Sequence, residues 1–283
     1  MPTSRPSTAD KRRTFRTLHE SGCFVIPNPW NVGSARYLQG LGFKALASTS
    51  SGFAHSQGYA DSDVPLEMVL AHLRELVEET DLPVNADFEG GFADSPAGVA
   101  ENVRHCVATG IAGLSIEDST SDPKIPLYDF DLALARVKAA RAAIKKTGAE
   151  IVFCARTEGF IRGRPDMEET LRRMKAFADA GADCLYAPGL KTREQIKALV
   201  KAVAPKPVNF LNSGAFGHTV SDLAAMGVRR ISVGGSLARV AMHAFIRTAT
   251  EIAQEGKFDG FANLITNSDL NAFFSDDMDK RAP

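Results

Sequence analysis

Eight short apolar runs, each followed by a longer segment of helical character, constrain this 283-residue chain more than any other feature. The runs are Cys23–Pro27, Ala45–Ser48, Pro83–Asp87, Leu114–Glu117, Ile151–Arg156, Cys184–Ala187, Pro207–Phe210 and Ile231–Gly234. Most are apolar throughout rather than alternating, the pattern of parallel strands buried on both faces. The clearest helical stretches between them are Leu66–Glu79, Pro96–Thr109, Leu132–Thr147, Met167–Ala180 and Arg193–Val203. Asp63, Ser95 and Asp166 stand where N-caps belong, and Gly110, Gly148, Gly181 and Gly227 stand where helices end.

Eight β-then-α units of this length predict a closed (β/α)8 TIM barrel in the α/β class, and barrels reach this size as one domain. The alternative is a doubly wound open sheet. That fold asks for a GxGxxG turn after the first strand, and Pro27-Asn28-Pro29-Trp30-Asn31 is not that turn. The expected organisation is a single domain over residues 1–283, with a flexible polar arm over 1–13. A helical extension from about 237 to 283 starts with the Ala-rich stretch Leu237–Ala253 and is too long for one closing helix.

The formal net charge is −1, which gives no electrostatic case for nucleic acid or an anionic membrane. No apolar run approaches the roughly 20 residues of a membrane helix, and the polar start lacks the apolar segment of a signal peptide. Cys23, Cys106, Cys154 and Cys184 form no CxxC pair, and three lie in strand-like runs. Free, buried thiols in a reducing cytoplasm are expected.

In a barrel, catalytic groups come from the C-terminal strand ends. Here the first strand ends in Asn28 and Asn31, and the second in Ser50-Ser51-Gly52, leading to Tyr59 and Asp61. The third ends in Asp87-Phe88-Glu89, the fourth in Glu117-Asp118, and the fifth in Arg156-Thr157-Glu158. The seventh supplies Asn209 and Asn212, and the eighth Gly234-Gly235-Ser236. Four acids converging on one mouth repel each other unless a cation sits among them. All-oxygen ligands select a hard ion, Mg²⁺ or Mn²⁺. Arg156, ending a buried strand, must be paired: with Glu158, with a substrate carboxylate, or with both. Of the histidines, His55 and His218 lie near strand-end loops, whereas His19, His72, His105 and His243 fall in helical patterns.

Taken in order, these motifs become recognisable. Pro27-Asn28-Pro29-Trp30-Asn31-Val32-Gly33-Ser34-Ala35-Arg36, Thr49-Ser50-Ser51-Gly52 with Gly58-Tyr59-Ala60-Asp61, Asp87-Phe88-Glu89-Gly90-Gly91-Phe92, Ile116-Glu117-Asp118 and Ala155-Arg156-Thr157-Glu158 resemble the isocitrate lyase/phosphoenolpyruvate mutase superfamily over about residues 14–250. The resemblance implies a Mg²⁺-dependent barrel that stabilises an enolpyruvate-like intermediate. It also implies a homo-oligomer, a tetramer, with a terminal helix swapped between barrels. By that resemblance Asp87 is the direct metal ligand, with Glu89, Asp61 and Glu117 completing the metal acids. Arg156 holds the substrate carboxylate, and Ser50 and Ser51 form a backbone site. Gly52, Asn209 and Asn212 complete the expected substrate-binding set.

One departure bears on substrate. The loop after the fourth strand, Ser119–Tyr128, is short and lacks both the cysteine-bearing motif of the lyases and the Lys–Thr–Asn–Ser run of the mutases. The expected reaction is metal-assisted C–C cleavage or decarboxylation of a small 2-oxo or 2-hydroxy (di)carboxylate, with Glu158, Tyr59 or metal-bound water as proton carrier. The alternatives are P–C bond chemistry on a phosphonopyruvate-like acid, a Schiff-base aldolase, for which no strand-end lysine is present, and a non-catalytic carboxylate-binding barrel.

Overall fold

A computed structural model describes residues 5–281. The eight expected strands are β1 (Phe24–Ile26), β2 (Leu46–Ala47), β3 (Val84–Asp87), β4 (Gly113–Glu117), β5 (Val152–Arg156), β6 (Cys184–Tyr186), β7 (Val208–Leu211) and β8 (Arg230–Ser232). All pair in parallel, in the order β1-β8-β7-β6-β5-β4-β3-β2. The ring closes where the Ala47 N–H donates to the Pro27 carbonyl (3.0 Å) and Asn28 Nδ2 donates to the Ser48 carbonyl (2.9 Å). The fold is therefore a (β/α)8 barrel and not an open sheet. β8 stops before Gly234, whose φ of +54° turns the chain into the next helix.

The helices are α1 (Thr8–Leu18), α2 (Val32–Gly40), α3 (Ser50–Ser56), α4 (Leu66–Glu79), α5 (Pro96–Ala108), α6 (Phe130–Thr147), α7 (Met167–Asp179), α8 (Arg193–Val203), α9 (Val220–Ala225), α10 (Ser236–Glu255) and α11 (Asn267–Arg281). Leu73, Leu76, Val103, Phe177 and Leu199 form part of the sealed layer between strands and helices. The barrel interior is more polar: Asn85, Ser115, Asn209, Arg230 and Ser232 are buried beside Cys154 and Cys184.

The arm expected to be flexible to Arg13 is instead helical from Thr8. Ser7 and Asp10 cap each other across the first turn, and Phe15 is fully buried on the same helix. Lys11, one turn before Phe15, is 7% exposed, and its Nζ donates to the carbonyls of Val77 (2.8 Å) and Thr80 (2.5 Å). Those carbonyls are among the orphans at the C-terminal end of α4, whose last turn has no basic residue of its own. Arg5, Arg36 and Arg281 converge on the same end through the carbonyls of Glu78, Glu79 and Thr80. Opposite ends of the chain thus meet on one helix terminus, where cations are favoured. Lys11→Met is expected to lower stability by about 1.5–3 kcal/mol, the range for hydrogen bonds to a charged group. Thermal denaturation checks this, and an unchanged melting temperature would contradict it.

The extension behaves as two unlike pieces. α10 has no buried residue and exposes Val240 (68%), Phe245 (66%) and Ile246 (54%). α11 returns to the barrel, where Phe273 packs on Tyr37 and against Gly40 of α2. Among the described residues no helix is long and apolar enough to cross a membrane.

Candidate active site

The C-terminal strand ends surround a cavity of about 170 Å³. Its walls include Ser50 and Ser51 from the β2–α3 turn, Asp61, Asp87 from β3, Arg156 from β5 and Asn209 from β7. Its floor reaches Asn85, Ser115 and Arg230 inside the barrel. A space this small suits a ligand of a few heavy atoms rather than a drug-sized molecule.

Arg156 is the hub. Its NH1 lies 3.3 Å from Asp87 Oδ1 and 3.2 Å from Glu117 Oε2, and its Nε donates to Glu158 Oε1. The guanidinium also lies 5.0 Å from the centroid of the Tyr186 ring. Three carboxylates hold it firmly cationic, against a burial that opposes the charge. Asp87 is fixed from the other side, where the Ser50 N–H donates to Oδ2 (3.1 Å). Burial pushes the Asp87 carboxyl up; Arg156 offsets this only in part, and Glu117 adds to it. Burial and the charges of Asp87, Glu117 and Asp61 push Glu89 up to about 8. These acids are under-compensated by the protein alone.

Asp118, read from the sequence only as part of a strand end, proves to be a brace. Its Oδ1 accepts the Glu158 N–H (2.9 Å), and its Oδ2 accepts the Thr157 hydroxyl (2.6 Å) and Arg173 NH1 (3.0 Å). It fixes the turn after β5 and thereby the Arg156–Glu158 pair.

The structure does not bring every expected residue to the cavity. Glu158 is 1% exposed and sits behind Arg156, where burial raises its carboxyl. Tyr59 is 39% exposed and absent from the cavity wall. Gly52, Asn212 and His55 line a neighbouring groove beneath α10, and His218 bonds to the Lys191 carbonyl (2.9 Å). Of the backbone donors expected of Ser50-Ser51-Gly52, Ser50 serves Asp87 and Gly52 serves Thr49 Oγ1, while Ser51 lines the cavity. Asn209, though on the wall, is engaged by Arg230 (2.7 Å) and by Ser232 (2.9 Å). The loop after β4 is folded back on itself by a Ser119–Leu127 bridge, and none of its residues reaches the wall.

Sequence reasoning missed two wall residues that carry chemistry. Tyr186 on β6 is 7% exposed, and burial keeps its hydroxyl protonated. Arg239 lines the cavity from the first turn of α10 and has no carboxylate partner among the described residues. The readable signal for Arg239 was a cation one turn into the helix that opens at Gly234-Gly235-Ser236.

The acid side of the cavity fits a hard divalent cation in its donor chemistry. Asp87 and Asp61 line the cavity, and Glu89 and Glu117 adjoin Asp87. Among the described residues, however, no three acids, histidines or cysteines come close enough to ligate one ion together. An ion held here would need water to complete its shell, which would suit Mg²⁺, an ion that sheds its water reluctantly.

The sequence model of phosphoenolpyruvate phosphomutase matches residues 15–253. The chain belongs to the isocitrate lyase/phosphoenolpyruvate mutase superfamily. Within this superfamily it is similar to a solved Burkholderia cenocepacia J2315 protein to which lyase or mutase activity is ascribed. The two share 41% identity and a TM-score of 0.91, with 95% of this chain and 97% of the other covered. It is 30% identical over 237 residues to oxaloacetate decarboxylase of Paraburkholderia xenovorans, covering 79% of this chain and 75% of the relative. Oxaloacetate acetylhydrolase, solved with its product oxalate, shares 28% identity and a TM-score of 0.83 and covers 96% of each chain.

Proposed function

We propose that this superfamily member is a Mg²⁺-dependent lyase or decarboxylase acting on a small 2-oxo dicarboxylate. The observation that carries this reading is one small cavity with charge sorted across it. Acids and Arg156 stand on the β3–β5 side, and Arg239 stands with the Gly234–Ser236 turn on the β8 side. A monoanion would leave one side unsatisfied; a short acid with two anionic ends meets both. The names of the relatives, oxaloacetate decarboxylase and an oxalate-bound acetylhydrolase, support a short dicarboxylate.

Asp87 would hold the ion, with Glu89, Asp61 and Glu117 acting through its water. The ion would supply Lewis-acid polarisation of the 2-oxo group. Arg156 would hold the adjacent carboxylate through Nη2, because Glu158 engages its Nε and Asp87 and Glu117 engage its Nη1. Arg239 draws the far carboxylate to the β8 side. As the bond to the departing carbon breaks, its electron pair moves onto the pyruvyl fragment, and Arg156 neutralises the charge next to it. In decarboxylation the departing group is CO₂, and no base is needed for that step. A proton must then reach the new carbanion carbon. Tyr186, on the cavity wall, or solvent would supply it; Tyr59 and Glu158 do not line that wall.

The free apolar face of α10 supports a homo-oligomer in which this helix covers a neighbouring barrel.

The test is a panel of oxaloacetate, 2-methylisocitrate-type, malate-type and phosphonopyruvate acids with Mg²⁺, following pyruvate release. Pyruvate from a dicarboxylate, lost on adding a chelator, is the expected result. Turnover restricted to phosphonopyruvate would replace this reading with P–C chemistry, and no turnover of any acid would support a binding barrel.

A further inference from the structure

β3 ends in a turn that its own side chains disfavour. Glu89 and Phe92 take φ of +45° and +53°, with Gly91 at +76° between them. Left-handed backbone at Glu and Phe persists only where surrounding structure imposes it. Two side chains do so. Asn102 Nδ2 of α5 donates to the carbonyls of Gly91 (3.0 Å) and Phe92 (3.1 Å). Arg136 of α6 donates from NH1 to the carbonyls of Ala93 and Asp94, the latter at 2.5 Å, and from NH2 to the Gly90 carbonyl.

Arg136 is 1% exposed and has no carboxylate partner among the described residues. It lies in the buried stripe Ala133, Val137, Ala140, Ala143 and Ile144, where an apolar residue would pack without desolvating a charge. Every hydrogen bond it makes goes to the one turn. Its guanidinium also lies 4.0 Å from the centroid of the Tyr128 ring. The Tyr128 hydroxyl donates to Asp94 Oδ1 (2.5 Å), and the Tyr128 N–H donates to the Asp118 carbonyl (3.0 Å). The Glu117 N–H in turn donates to the Glu89 carbonyl (2.9 Å). One guanidinium therefore ties the turn after β3, which carries Glu89, to the loop that follows Glu117 at the end of β4.

We propose that Arg136 is a positioning residue for the divalent cation, holding the Glu89–Phe92 turn so that Glu89 stays beside Asp87 and Glu117. This rests on the metal reading above. Arg136 itself touches neither ion nor substrate. It acts through the backbone of the turn, as groups behind a metal ligand do when they set that ligand's orientation.

The experiment is Mn²⁺ binding without substrate, by electron paramagnetic resonance of the free ion, with the melting temperature measured beside it. Wild type, Arg136→Lys, Arg136→Met and Tyr128→Phe are compared. Lysine keeps the charge but cannot reach three carbonyls in the guanidinium geometry. Arg136→Lys is expected to weaken Mn²⁺ binding by about 10- to 100-fold, the range for residues behind a metal ligand. The Mg²⁺ concentration that half-saturates activity should rise by the same factor, and saturating Mg²⁺ should restore kcat. Tyr128→Phe, which removes only the hydroxyl tie to Asp94, should shift binding in the same direction by less. If Arg136→Met does not fold, the lysine and phenylalanine variants decide the matter. Wild-type Mn²⁺ affinity in Arg136→Lys, with only a lower melting temperature, would overturn the positioning role while leaving the metal reading intact. A wild-type protein that binds no Mn²⁺ would overturn both.

Discussion

Asp87→Ala is expected to abolish divalent-dependent turnover, by roughly a thousandfold or more, while the barrel survives. A Lewis acid contributes several kcal/mol of charge stabilisation, and each 1.36 kcal/mol is about tenfold in rate. The fold should tolerate the change because Asp87 is not a favourable acid in the metal-free protein. Burial and Glu117 raise its carboxyl above the ordinary range. For a carboxyl whose folded-state pKa is raised, the charged form opposes folding once the pH climbs past the unfolded value, so stability declines through that window. Removing Asp87 at neutral pH removes this opposition, and Arg156 retains Glu117 and Glu158 as partners. Melting temperature and kcat, measured side by side with and without Mg²⁺, check both halves. Near-normal turnover in Asp87→Ala at saturating substrate would remove Asp87 from the metal site.

Arg156→Lys is expected to reduce kcat/KM by about tenfold or more, with a raised KM, for the loss of a charge-assisted hydrogen bond worth about 1.5–3 kcal/mol. The structure sharpens the reason. The guanidinium reaches Glu158 through Nε and both Asp87 and Glu117 through NH1, and a lysine ammonium cannot span those positions while also gripping a substrate carboxylate. A purely structural arginine predicts something else: a lower melting temperature with kcat/KM per folded molecule unchanged. Measuring the two together separates the roles.

Much of the fold was legible because it depends on local pattern. Continuous apolar runs such as Ile151–Arg156 announce strands buried on both faces, and their spacing announces the barrel. The acids at strand ends were legible for the same reason, since a strand end fixes which side of the barrel a residue serves. What escaped was decided by distant contacts. Lys11 stood in a polar segment, and only the orphan carbonyls of α4, some 66 positions later, make it a buried cap. Glu158 sat just past a strand end and Tyr59 in the loop that follows α3, yet the fold left Tyr59 exposed and put Glu158 behind Arg156. Arg136 left a trace: a cation at helical spacing within an apolar stripe. Its partners at Gly90, Ala93 and Asp94 could not be read from that spacing.

The central claim is that Asp87 and its neighbouring acids, together with Arg156, bind a planar two-oxygen chelate on a divalent ion. Oxalate tests it without knowledge of the substrate, because it is a planar dianion shaped like enolpyruvate. Calorimetric titration of oxalate should show binding that requires Mg²⁺, strengthened at least about tenfold over the metal-free protein and lost in Asp87→Ala, as expected of an intermediate analogue. Oxalate binding that is equal with and without Mg²⁺, or undisturbed in Asp87→Ala, would contradict it.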